Sequence, residues 1–142
     1  MESSTVAPSA QSTGSATIAD MIGLAAGKFS ELTAVQVQRD GAWQTATFAE
    51  VGGIVSEIAR GLIDLGLQRG DRVAILCTTR PEWAYASFGI TSAGGVVVPI
   101  YQTNSPDECE WVAGNSEARF IVCEDAEQVA KIVAVREQLD AL

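Results

Sequence analysis

At 142 residues, with 47% hydrophobic and 19% charged side chains, the chain holds about one ordinary domain and is apolar enough to bury a core, unlike charge-rich disordered polypeptides. Its 18 acidic and 9 basic residues leave a net charge of -9, which opposes a nucleic-acid backbone or an anionic lipid surface, and no apolar run approaches the ~20 residues of a membrane span. The chain has no histidine, which excludes Ser-His-Asp and Cys-His machinery, and its three cysteines, Cys77, Cys109 and Cys123, show no Cys-x-x-Cys spacing.

Residues 1–16 are mostly Ser, Thr, Ala and Gly, with too little apolar surface to offset the entropy of ordering them, and they are expected to form a mobile tail. Nothing in them has the basic head and apolar stretch of a secretion signal, so the expected compartment is the cytoplasm. From Thr17, the apolar positions Ile18, Met21, Ile22, Ala25 and Phe29 predict a short or irregular helix interrupted by Gly23 and Gly27. The alternating stretch TAVQVQRDGAWQTATF predicts a hairpin turning at Asp40-Gly41. Thr47 and Glu50 have the spacing of a capping box and should start a helix. Its apolar stripe is Phe48, Val51, Ile54, Val55, Ile58, Leu62 and Leu65, with Gly66 as terminator. Gly52, Gly53 and Gly61 weaken that helix, so close packing is expected to hold it.

Three short apolar runs follow, Arg72 to Cys77, Val96 to Ile100 and Phe120 to Cys123, separated by helical segments opened by Pro81 and Pro106 and closed by one from Asp125. The last segment places Val129, Ile132, Val133 and Leu139 on one face. Continuous rather than alternating apolarity is the pattern of strands covered on both faces, so the fold class is α/β. Its core is a parallel-sheet β-α-β-α-β-α unit preceded by a β-hairpin and a helix, with sheet edges left open for partners or self-association.

No glycine-rich phosphate loop follows any strand, and Gly94-Gly95 reads as the end of a helix. The acidic residues Asp107, Glu108 and Glu110 sit where a helix N-terminus favours negative charge, and Asp125 has a capping position; Glu124 lies beside it at a strand end. Open α/β sheets bind ligands at the carboxyl ends of their strands, which makes Thr78, Thr79, Arg80, Tyr101 and Thr103 ligand-crevice candidates. A structural reading competes: Thr79 or Arg80 caps the helix at Pro81, Tyr101 packs on the sheet, and Asn104 or Ser105 caps the next helix. Trp83, Tyr85, Phe88 and Ile90 cannot share one helix face, so that helix is expected to be covered on more than one side.

The segments TFAEV, GLIDLGLQRGDRVAI, RPEW and TSAGGVVVPIYQTNSPDECEWVAGNSEARFIVCED, in this order, resemble the N-terminal part of adenylate-forming acyl-CoA synthetases over roughly residues 18–125, and are most similar to long-chain fatty acid ligases. The resemblance implies a two-step reaction in which a fatty acid carboxylate attacks ATP to give an acyl-adenylate and pyrophosphate, and the thiol of coenzyme A (CoA) then displaces AMP, with Mg2+ required. The phosphate loop, the nucleotide motifs and the catalytic lysine of that family have no counterpart here, and Lys28 and Lys131, the chain's two lysines, match no such motif. The resemblance therefore assigns no catalytic, cofactor-binding or metal residue to this chain. It implies that residues 17–142 are part of the large N-terminal domain of such an enzyme, inactive alone. The alternative is a free-standing α/β binding or regulatory module that docks on a full-length synthetase.

Overall fold

A computed structural model describes residues 12–142, so most of the expected tail lies outside the described residues. The chain divides at Gly52/Gly53, within its second helix, into two compact units.

In the first unit, α1 (Ile18–Lys28) is a continuous helix begun by a full capping box: Asp20 N–H donates to Thr17 Oγ1 (3.3 Å) and Thr17 N–H to Asp20 Oδ1 (3.0 Å). It buries Ile22 and Ala25, while Gly23 and Gly27 face open space, so they loosen the helix without breaking it. Strands β1 (Thr33–Arg39) and β2 (Ala42–Thr47) pair antiparallel around Asp40 and Gly41, whose φ angles of 50° and 76° are those a tight primed turn requires. Helix α2 (Phe48–Asp64) opens on the expected box, Thr47 N–H to Glu50 Oε2 at 2.8 Å and Glu50 N–H to Thr47 Oγ1 at 3.2 Å. Its buried stripe is Val51, Val55, Ala59 and Leu62. Two expected members leave that stripe: Ile54 lies at its margin, and Leu65 follows the helix's last residue and is exposed. Close packing accounts for Gly52, where an added Cβ would stand 2.6 Å from Ala26 Cβ; Gly53 and Gly61 have nothing within 4 Å.

The second unit carries β3 (Arg72–Leu76), α3 (Pro81–Ser92), β4 (Val96–Ile100), α4 (Pro106–Asn115), β5 (Phe120–Cys123) and α5 (Ala126–Ala134), followed by a 3-10 turn at Arg136–Gln138. The three strands form a parallel sheet in the order β4-β3-β5. Central β3 is covered on both sides, and Val73, Ala74, Ile75 and Leu76 are each 0% exposed. On one face Val73 and Ile75 pack with Leu62, Ala86 and Ile90, contributed by α2 and α3. On the other, Ala74 and Leu76 pack with Cys109, Ala113, Ile132 and Leu139, contributed by α4, α5 and the segment after it. The chain runs outward from β3 to β4 and back across β3 to β5, so crossovers of one hand place α3 and α4 on opposite faces.

The expected apolar face of α5 is rotated. Gln128, Ile132, Val135 and Leu139 are buried, whereas Val129 and Val133 are exposed. At 100° per residue, Val129 and Val133 stand about a quarter turn or more from the line through Gln128, Ile132 and Val135. In α3, Ala86, Gly89 and Ile90 are buried and Trp83, Tyr85 and Phe88 are half-buried.

Candidate functional site

The carboxyl ends of β3 and β5 lie side by side, and the chain leaves them in opposite directions, to α3 on one face and α5 on the other. That divergence opens the crevice in which open α/β sheets place ligands. Glu124 N–H donates to Leu76 O (3.0 Å), extending the ladder one residue beyond β5 and carrying the Glu124 side chain over the end of β3. There Glu124 Oε2 accepts from Thr78 N–H at 2.7 Å, the Thr78 hydroxyl reaches both carboxylate oxygens at 2.8 and 2.9 Å, and Arg80 Nη1 donates to Oε1 at 2.9 Å. Arg80 Nε donates to Glu82 Oε2 at 2.8 Å.

This clasp sets the charge states. The Thr78 backbone N–H, then the Thr78 hydroxyl and Arg80, hold the Glu124 carboxyl down at about 2. A carboxylate so weakly basic is mismatched to proton abstraction near neutral pH, where a general base needs a pKa close to the working value. Glu82 first, and Glu124 with it, push Arg80 above its already high ordinary value, so the guanidinium stays charged. Burial, followed by the Glu124 charge, pushes the Cys77 thiol up and keeps it from being a nucleophile. Burial likewise raises Cys109 and Cys123. Cys77 packs on the α2/α3 side of the sheet and Cys123 on the α4/α5 side, and all three thiols are free.

Beside the clasp is a cavity of about 120 Å³ lined by Ile75, Cys77, Arg80, Glu82, Trp83, Ala86, Val122, Cys123 and Glu124. Among the crevice candidates only Arg80 lines it, and Thr78 stands behind Glu124. Thr79 is exposed, and Tyr101 and Thr103 are exposed beyond β4, on the opposite flank of β3. The competing structural reading holds in part. Arg80 occupies the N-cap position of α3 but its side chain makes no capping bond, going instead to the two glutamates. Ser105, not Asn104, caps α4 in a box with Glu108, whose carboxyl is lowered by the Ser105 N–H. Asp125 caps α5, accepting from Gln128 N–H at 3.0 Å. Tyr101 does not pack on the sheet, being 77% exposed.

Glu124, the hub of the clasp, was legible only as one of two acidic residues at a strand end. Its role depends on the β3/β5 register, which places Leu76 opposite Cys123, and single-strand patterns carry no register between strands distant in sequence. Among the described residues no group of three or more Cys, Asp or Glu side chains is arranged to hold a metal ion, and no helix is long and apolar enough to cross a membrane.

A family model described as AMP-binding enzyme matches residues 24–142. The chain is 31% identical over 126 residues to the long-chain-fatty-acid–CoA ligase ACSBG1 of Bos taurus, covering 89% of this chain and 17% of that protein. It is 40% identical over 103 residues to the long-chain-fatty-acid–CoA ligase FadD15 of Mycobacterium bovis, covering 72% of this chain and 17% of that one. The chain thus spans about one sixth of the length of these curated relatives. Among solved structures it is similar to the N-terminal domain of FACL13 from Mycobacterium tuberculosis, with a TM-score of 0.76 and 26% identity over 87% of this chain and 30% of that one.

Proposed function

Since the chain belongs to the AMP-binding enzyme family, we propose that residues 17–142 form the opening part of the large domain of a long-chain fatty acid–CoA ligase. Their role is to frame the site rather than to react. In the complete reaction a fatty acid carboxylate attacks ATP, pyrophosphate leaves, and the thiol of CoA displaces AMP from the acyl-adenylate. A carboxylate oxygen is a poor leaving group and AMP a good one, which is why the acid is activated first.

The observation that carries this reading is the clasp. Glu124, Thr78 and Arg80 occupy the favoured ligand position at the strand ends, yet the Glu124 carboxylate already accepts from the Thr78 N–H, the Thr78 hydroxyl and Arg80, and Arg80 also reaches Glu82. The clasp residues and the cavity beside them do not fit ATP, Mg2+ or CoA. The cavity of about 120 Å³ is smaller than the roughly 300–1,000 Å³ of ligand pockets. The Glu124 carboxylate, the natural oxygen ligand there, already accepts from Thr78 and Arg80. No chemical step is therefore routed through this chain's side chains, and the cytoplasm is the proposed compartment.

Exchange of labelled pyrophosphate into ATP in the presence of Mg2+ and a long-chain fatty acid tests the proposal. The purified 142-residue chain is expected to give the rate of the protein-free blank. Exchange above that blank, dependent on the fatty acid, would overturn the framing role.

A further inference from the structure

The carboxyl end of β3 is flanked by a second crevice. Helix α3 leaves β3 on one face of the sheet, whereas α4 and α5 leave β4 and β5 on the other, so the chain diverges on both sides of β3. The clasp takes the β5 side. On the β4 side stand Thr79, Tyr101 and Thr103, all exposed.

Strand register leaves that side short of restraints. Strands β3 and β4 pair from Arg72 opposite Val96 to Leu76 opposite Ile100, and the ladder ends there. The chain then turns at once: Asn104 N–H donates to Tyr101 O at 3.0 Å, closing a turn with Gln102 and Thr103 at its centre. One such bond at an exposed strand end restrains the backbone weakly, and it leaves the central Gln102 carbonyl in need of a donor. That donor comes from α5. Lys131 Nζ donates to Gln102 O at 2.6 Å, a partly buried bond between residues 29 positions apart. A charged donor makes it about twice as strong as a neutral hydrogen bond. Lys131 lies about 60° around α5 from buried Gln128, so its half-buried stem rises from the packed side of the helix.

We infer that Lys131 is a positioning residue: its ammonium pins the turn at 101–104 and so fixes Tyr101 and Thr103 as the rim of the crevice between β3 and β4. Both edges of the sheet are then tied at their carboxyl ends, β5 through Glu124 and β4 through Lys131. That this rim faces the substrates of a ligase rests on the reading proposed above. The pin itself belongs to this chain alone and is tested on it.

Labelling lysine with nitrogen-15 and glutamine with carbon-13 tests the pin in the parent chain, in mildly acidic buffer where ammonium protons exchange slowly. The expected result is a coupling across the hydrogen bond between Lys131 Nζ and the Gln102 carbonyl carbon; its absence would overturn the pin. Lys131→Met keeps the stem and removes the donor. It should speed Asn104 amide exchange about tenfold and lower the Gln102 and Thr103 order parameters from about 0.85 to below about 0.6. The α5 amides and the Trp111 indole signal on α4 should stay as in the parent. Lys131→Arg retains a charged donor and should restore most of the Asn104 protection. The pin is overturned if Lys131→Met leaves the turn as ordered as in the parent, or if the loosening spreads equally through α4 and α5. It is equally overturned if arginine loosens the turn as much as methionine does. Each of these results would leave the ligase reading standing, and pyrophosphate exchange by the isolated chain would overturn that reading without touching the pin.

Discussion

Glu124 keeps its charge because backbone and side chain of the same threonine meet it head-on and Arg80 closes the other side. Its carboxyl sits at about 2 against an ordinary 4.5, so the native state favours the ionised form and takes up the proton less readily than the unfolded chain. The stabilisation is complete above 4.5 and is lost as pH falls from there through about 2. Glu124→Gln should therefore lower the urea midpoint most at pH 5 and above, and the gap from the parent chain should close between pH 4.5 and 2. A gap constant across that window would show that the clasp does not set the charge. Ser105 has a simpler part, accepting from the third helical N–H of α4 while Glu108 bonds back to its own N–H. Ser105→Ala should destabilise the chain by about 0.5–2 kcal/mol in chemical denaturation.

At the scale of elements, two glycines in neighbouring helices should respond to alanine with opposite signs. In α3, a Cβ on Gly89 would stand 2.4 Å from Ile58 Cγ2 and 2.8 Å from Ile58 Cβ, and a β-branched side chain has little room to turn aside. Gly89→Ala should destabilise by about 1–3 kcal/mol even though alanine is the better helix former by about 1 kcal/mol. Gly61, on the exposed side of α2 with nothing within 4 Å, should instead gain about 0.5–1 kcal/mol as alanine. Equal effects at the two positions, measured as denaturation midpoints at constant m-value, would contradict the packing of α3 against Ile58.

For the molecule as a whole, the local chemistry of the sequence located most elements. Asp40-Gly41, the Thr47/Glu50 box, the prolines at 81 and 106 and the cap at Asp125 each act over three or four residues, and each acts as expected. Faces were harder to read, because the buried side of a helix is chosen by what packs on it. The α5 stripe runs through polar Gln128 rather than through Val129 and Val133. The site was hardest, since Thr78 and Glu124 are 46 residues apart and meet only through the order β4-β3-β5.

The central claim is that Glu124, Thr78 and Arg80 at the strand ends bond to one another and that this chain frames a site rather than reacting. Titration calorimetry of the purified chain with ATP, AMP, CoA and a long-chain fatty acid, each alone, tests it most directly. The predicted result is no saturable heat at micromolar concentrations for any of the four. Saturable micromolar binding of any one of them, lost in Arg80→Ala, would contradict it.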